Sequence, residues 1–252
     1  MKKLAKIALG AITVTACAVS AGAIAGCSKG GNGTGEAYAA THQGGYVGYA
    51  KVVLDGDKIT EVKLVEVCLP TQVKAAADVP AADKVGTNYK TVSYDKVTLT
   101  YDAASNGYKT ADGTLFTTYL QSSKNAKAYY EAVLGNKITV TVGGEAKTGV
   151  MTNDALNKEK NGYWTTGGGS KVEGETKWLG NRDATVKYVM DNGVSKLKEL
   201  TKITEEGDNK GFWTDGTVVT GATWNDLNPS DKEGKIYSTY AELILDAYNK
   251  AK

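Results

Sequence analysis

Two β-rich runs joined at Asp55-Gly56 constrain this chain more than any other feature. Gly45-Tyr46-Val47-Gly48-Tyr49-Ala50-Lys51-Val52-Val53-Leu54 leads into the pair, and Asp57-Lys58-Ile59-Thr60-Glu61-Val62-Lys63-Leu64-Val65-Glu66-Val67 leads out of it. Asp-Gly between such runs signals a hairpin, because both central positions of the favoured tight turn need positive φ. In the second run Glu61 and Lys63 alternate with Val62 and Leu64, and the phase changes near Val65. Residues 97–101 and 138–142 alternate cleanly and read as further strands.

Helical periodicity separates these strands. Over 122–134 it aligns Ala126, Tyr129, Tyr130 and Val133, and over 184–203 it aligns Val186, Val189, Met190, Leu197 and Leu200, with a break at Asn192-Gly193. The last helix is the best specified. Thr239-Tyr240-Ala241-Glu242 spells a capping box, and Tyr240, Leu243, Ile244 and Ala247 form its apolar stripe. Hairpins and helices without a regular βαβ alternation predict an α+β fold, with antiparallel hairpins packed on helices and a C-terminal amphipathic helix.

The first residues address the protein to a membrane surface. Lys2, Lys3 and Lys6 precede an apolar run that ends in Ile24-Ala25-Gly26-Cys27. That ending resembles a bacterial lipobox, which implies a signal peptide over 1–26, cleavage before Cys27, and acylation of Cys27. Multiple acyl chains on one residue anchor stably where a single chain is marginal. Residues 27–44, rich in glycine and without an aliphatic run, read as a flexible tether, and the folded domain as 45–252.

Loss of the signal peptide removes three lysines and no acids, so 30 basic and 28 acidic residues become 27 and 28. A near-neutral chain with no basic block interleaved with aromatics is not a nucleic-acid binder. Of three cysteines, Cys17 leaves with the signal and Cys27 is the lipidation site, so no internal disulfide forms. Cys68, inside Val67-Cys68-Leu69, reads as a buried thiol. His42 is the only histidine and lies in the glycine-rich leader, which excludes a histidine-based triad and a multi-histidine zinc site. Redox chemistry in this chain needs a borrowed cofactor.

Thr220-Gly221-Ala222-Thr223 precedes the closing helix and offers a hydroxyl flanked by small residues. Alone, such a tetrapeptide is turn chemistry. Taken with the opening Gly-Tyr-x-Gly-x-Ala and the Asp-Gly-Asp-Lys-Ile-Thr-x-Val hairpin, it resembles the FMN-binding domain of covalently flavinylated proteins, including lipoproteins of extracellular electron transfer. The resemblance covers 45–67 and 211–250 and leaves 71–209 as a long insertion. It implies that a flavin transferase attaches FMN through a phosphoester to Thr223, with Thr220, Gly221 and Ala222 completing the motif. Thr217 stands where the family often has an acid, and Trp224-Asn225-Asp226 where it usually has small hydroxyl residues.

Trp213 and Trp224 flank the motif and are candidates to stack on the flavin ring. Asp112-Gly113-Thr114 echoes Asp215-Gly216-Thr217, which reads either as common turn chemistry or as a degenerate duplication. The expected protein is a lipid-anchored, extracytoplasmic electron carrier rather than a substrate-converting enzyme. Its expected electron donor is a membrane quinone-linked dehydrogenase or another redox donor. The alternative is a non-redox surface lipoprotein that binds a solute or a cell-surface partner.

Overall fold

The computed structural model describes residues 32–161, 178–207, 210, 213–217, 227 and 237–252. The signal peptide, Cys27, the Thr220–Thr223 motif and Trp224 lie outside the described residues. The chain has an α+β fold. Strands β1 (Gly33–Thr41), β2 (Tyr46–Asp55) and β3 (Lys58–Cys68) are followed by the short pair β4 (Lys84–Val85) and β5 (Asn88–Tyr89), then β6 (Thr91–Tyr94), β7 (Val97–Asp102) and β8 (Gly107–Thr110). Helices α1 (Phe116–Tyr119) and α2 (Ser123–Leu134) lead to β9 (Thr139–Val142), β10 (Glu145–Lys147) and α3 (Asn153–Leu156). Helix α4 (Trp178–Asn192) precedes the pair β11 (Thr201–Lys202) and β12 (Trp213–Thr214), and α5 (Tyr240–Ala251) closes the chain.

The first sheet is an antiparallel meander, β1-β2-β3. Its expected hairpin is present, with the turn one residue further along than the sequence reading placed it. Asp55 pairs with Lys58, so the two loop residues are Gly56 and Asp57, and of these only Gly56 has positive φ, at 62°. One positive φ, at the first loop position, is the pattern of a type II′ turn. The phase change near Val65 has a simple cause. Val62 and Leu64 pack on one face of the sheet and Val65 and Val67 on the other, so alternation continues while both faces become buried. A β-bulge between Val53 and Leu54 faces Ile59–Glu61, nearer the turn.

The tether boundary is corrected by β1. Residues 33–41, read as part of a flexible linker, pair with β2 along their whole length, and Ala37, Ala40 and Thr41 are buried. The glycines that suggested a linker instead let two backbones meet. A Cβ on Gly33 would stand 1.7 Å from the carbonyl oxygen of Ala251, and one on Gly35 2.0 Å from that of Ala247, both in α5. Asn32 is already held, since its side-chain carbonyl accepts the Gly56 N–H at 3.2 Å.

One face of the meander, through Ala50, Val52 and Leu64, packs on Leu243, Ile244 and Ala247 of α5 and on Val189 of α4. The other face, through Val47, Tyr49, Val65 and Val67, packs into a core with Tyr94, Phe116, Tyr129 and Val140. That second core is built by the insertion, whose five-stranded antiparallel sheet runs β10-β9-β6-β7-β8. Helix α2 buries the expected Ala126, Tyr129, Tyr130 and Val133.

Helix α4 departs from its expected extent. It already includes Trp178, ends at Asn192, and gives way after Gly193 to a 3₁₀ segment, Val194–Glu199. Its buried face carries Trp178, Asn181, Thr185 and Val189, whereas Met190 is 38% exposed. Helix α5 has the complete capping box, with the Thr239 hydroxyl accepting the Glu242 N–H at 3.1 Å and the Glu242 carboxylate accepting the Thr239 N–H at 3.1 Å. Replacing Thr239 by Ala is expected to cost about 1 kcal/mol in urea unfolding, the usual worth of an N-cap.

The Asp-Gly-Thr echo is a shared turn. Asp112 Oδ1 accepts the Thr114 N–H and Asp215 Oδ1 accepts the Thr217 N–H, both at 3.1 Å, with Gly113 and Gly216 at positive φ. Asx-turn chemistry gives both copies the same local geometry.

Candidate functional site

The alternation of β3 places Glu66 on the face that receives α4 and α5, between apolar neighbours Val65 and Val67. Its side chain is fully buried, so its charge needs close partners. Thr41, the last residue of β1, donates its hydroxyl to Oε1 at 2.5 Å. Lys158, 1% exposed, donates Nζ to Oε2 at 2.5 Å. The backbone fixes this lysine as well, because the Lys158 N–H donates to the Glu66 carbonyl at 3.0 Å and Asn157 bridges to Val67.

His42 completes the cluster. Its Nε2 lies 3.3 Å from Glu66 Oε2 and 2.5 Å from the Tyr240 hydroxyl, which also accepts the Trp178 indole N–H at 3.4 Å. Thr41 at the end of β1, His42 after it and Lys158 after α3 thus converge on the Glu66 carboxylate of β3, and the first residues of α4 and α5 join through His42. His42 adopts φ of +47°, a region that non-glycine residues occupy when the surroundings hold them there. Its side chain is 25% exposed, so it is the cluster's link to solvent.

The walls are aromatic. Lys158 Nζ sits 3.7 Å from the Tyr46 ring centroid and 5.3 Å from that of Trp178, a cation–π arrangement that replaces part of its lost hydration. The His42 ring meets Tyr46 edge-on at 5.1 Å. Burial by itself would raise the Glu66 carboxyl, but the His42 and Lys158 charges overcome it and hold the group well below the usual carboxylate range. Near this site, burial pushes the Cys68 thiol up to about 11, and Asn161 donates to its sulfur at 3.7 Å. Cys68 is therefore the inert core thiol that its sequence context predicts.

The motif itself lies outside the described residues, and the nearest described positions are Thr217 before it and Leu227 after it. On the upstream side, Tyr188 of α4 donates its hydroxyl to Asp215 at 3.0 Å, and Asp215 in turn caps the Thr217 N–H. Those bonds hold Asp215 below its ordinary value. Downstream, buried Leu227 accepts the Ala241 N–H at 3.1 Å, in the first turn of α5. Thr223 is four residues from Leu227, a separation of no more than about 14 Å in any chain conformation.

Trp213, the upstream stacking candidate, is buried. It is 3% exposed within the core of Val194, Leu197, Leu200 and Leu227, so its ring is already covered. Sequence reasoning missed Glu66, Lys158 and His42. The readable signal was Glu66 itself, a single charge within Leu64-Val65-Glu66-Val67-Cys68-Leu69. Lys158 was masked by the charge run Lys158-Glu159-Lys160, and His42 by the glycines around it.

Among the described residues no group of three or more His, Cys, Asp or Glu could hold a metal ion, and no helix is long and apolar enough to cross a membrane. Compared with family models, with curated proteins and with solved structures, the chain matches none of them.

Proposed function

We propose that this protein is a lipid-anchored, extracytoplasmic electron carrier, with FMN attached through a phosphoester to Thr223 and an acylated Cys27 at the membrane. The observation that supports the reading is the packing of the β2–β3 hairpin on the closing helix, the two described segments on which the resemblance rests. The hairpin β2–β3 lies directly on α5, and both flanks of the motif are tied to the helices that meet there, Asp215 to Tyr188 of α4 and Leu227 to Ala241 of α5.

A flavin accepts and returns electrons, chemistry that the side chains of this protein do not supply. Next to the hairpin–α5 packing, Lys158, His42 and Thr41 surround the single buried carboxylate of Glu66, with the Tyr46 ring beside them. Thr220, Gly221 and Ala222 complete the attachment motif, and Trp224 is the remaining flanking indole. A flavin transferase installs the group, and a quinone-linked dehydrogenase or another membrane redox donor reduces it. A covalent bond keeps a carrier that faces bulk fluid from losing its flavin by dilution.

Denaturing electrophoresis of protein co-expressed with a flavin transferase tests the reading. The expected result is a fluorescent band in the membrane fraction that moves to the soluble fraction in Cys27→Ser. A dark band from a folded chain supports instead the non-redox surface lipoprotein.

A further inference from the structure

We propose that a groove along β1, between the first turns of α2 and the end of α5, binds a phosphate monoester. The inference stands apart from the flavin reading, and only one arm of its test draws on the anchor at Cys27. The groove measures about 560 Å³, within the range of small-ligand sites, and every residue lining it is described. Three elements build it. Strand β1 is the outer strand of its sheet, and its alternation puts Thr34, Glu36 and Tyr38 on one face. The first turns of α2 supply Ser123, Lys124 and Lys127, and the end of α5 supplies Lys250. The close approach of β1 to α5 at Gly35, where a Cβ would stand 2.0 Å from the Ala247 oxygen, brings Lys250 to this edge.

Charge selects the ligand. The lining holds three ammonium groups, those of Lys124, Lys127 and Lys250, against the one carboxylate of Glu36. A phosphate monoester, at about −1.5 to −2 near neutral pH, offsets that excess. Glu36 is engaged with its own sheet, because the Tyr38 and Tyr49 hydroxyls donate to its two oxygens at 3.1 and 2.8 Å. Lys127 Nζ lies 5.5 Å from the Tyr38 ring centroid and 3.7 Å from the Glu131 carboxylate, and Lys250 pairs with Asp246 at 2.8 Å. Both ammonium groups keep donors to spare, since each carries three. Lys124 is exposed and has no ion-pair partner among the described residues, so its charge is fully available. Cys27 lies six residues before Gly33, no more than about 22 Å in any chain conformation. An acyl anchor there keeps the groove close to a bilayer, so the ester has two sources, a soluble one and a lipid one.

Calorimetric titration with glycerol 3-phosphate tests this, on the chain from residue 27 onward carrying Cys27→Ser, which retains every described residue. Binding is expected to be saturable and to weaken at least about 10-fold in Lys124→Gln/Lys127→Gln/Lys250→Gln, the worth of one charged hydrogen bond. Glu36→Gln is expected to tighten it, because a like charge leaves the groove. All four side chains are exposed, so thermal unfolding of each variant is expected to match that of the parent chain. Co-sedimentation with phosphatidylcholine vesicles, with and without phosphatidic acid, reads the lipid source. Capture only on vesicles that contain phosphatidic acid, lost in the triple variant, supports the proposal with a lipid ester as ligand. Lysine-dependent binding of glycerol 3-phosphate supports it with a soluble one. Binding of neither, equal binding by the triple variant, or equal affinity for sulfate overturns it. Acylation is read separately, from the membrane fraction of the unsubstituted chain, so a failed anchor leaves the calorimetric result standing.

Discussion

Lys158→Met is expected to lower the unfolding free energy by about 3–5 kcal/mol at neutral pH, the usual cost of leaving a buried charge without its partner. Glu66 has no exposed surface, and Lys158 supplies both its closest cation and the main-chain bond that fixes the neighbouring segment. Methionine fills most of the lysine's volume between Tyr46 and Trp178, so the loss reports charge more than packing. The double variant Glu66→Gln/Lys158→Met removes both charges and is expected to recover most of the loss. Urea unfolding at several pH values checks the origin of the effect. The Glu66 carboxyl is depressed in the folded state, so its contribution is complete above the unfolded value of 4.5 and drains away as pH falls below it. The gap between wild type and Lys158→Met is therefore expected to narrow below about pH 4.5. A gap that stays constant to pH 3 contradicts the electrostatic account.

Gly35→Val is expected to cost about 3 kcal/mol or more, at the upper end of overpacking effects. The first added carbon would stand 2.0 Å from the Ala247 oxygen and 2.5 Å from the Ala251 nitrogen, and backbone atoms cannot rotate away as a side chain can. Either β1 leaves α5 or the helix shifts off the sheet, and both expose Leu243 and Ile244. Thermal unfolding by circular dichroism checks this, with Thr239→Ala as the milder benchmark on the same helix. A transition within a few degrees of wild type would show that β1 and α5 are not in contact.

The sequence carried the fold where local chemistry and tertiary packing agree. The β2–β3 hairpin, helix α2 and the capping box of α5 each follow from turn residues, periodicity or a cap that the native contacts reinforce. Legibility failed where one residue type serves two ends. Glycines at 33 and 35 look like linker chemistry, and only α5, more than two hundred residues away, reveals them as close-approach positions. Helix α4 was misplaced because its buried face includes Asn181 and Thr185, which carry no hydrophobic signal, while Met190 faces outward. The charged cluster was hidden for a related reason. His42, Glu66 and Lys158 are far apart in the chain and become neighbours only when β1, β3 and the segment after α3 converge, a long-range arrangement that no local pattern encodes.

The intact mass of the full chain, co-expressed with a flavin transferase and compared with Thr223→Ala, tests the central claim most directly. The account predicts a wild-type increment of one FMN less one water, mapped to the peptide containing Thr223 and absent from Thr223→Ala. An unmodified, colourless wild-type chain, or an increment that survives in Thr223→Ala, contradicts it.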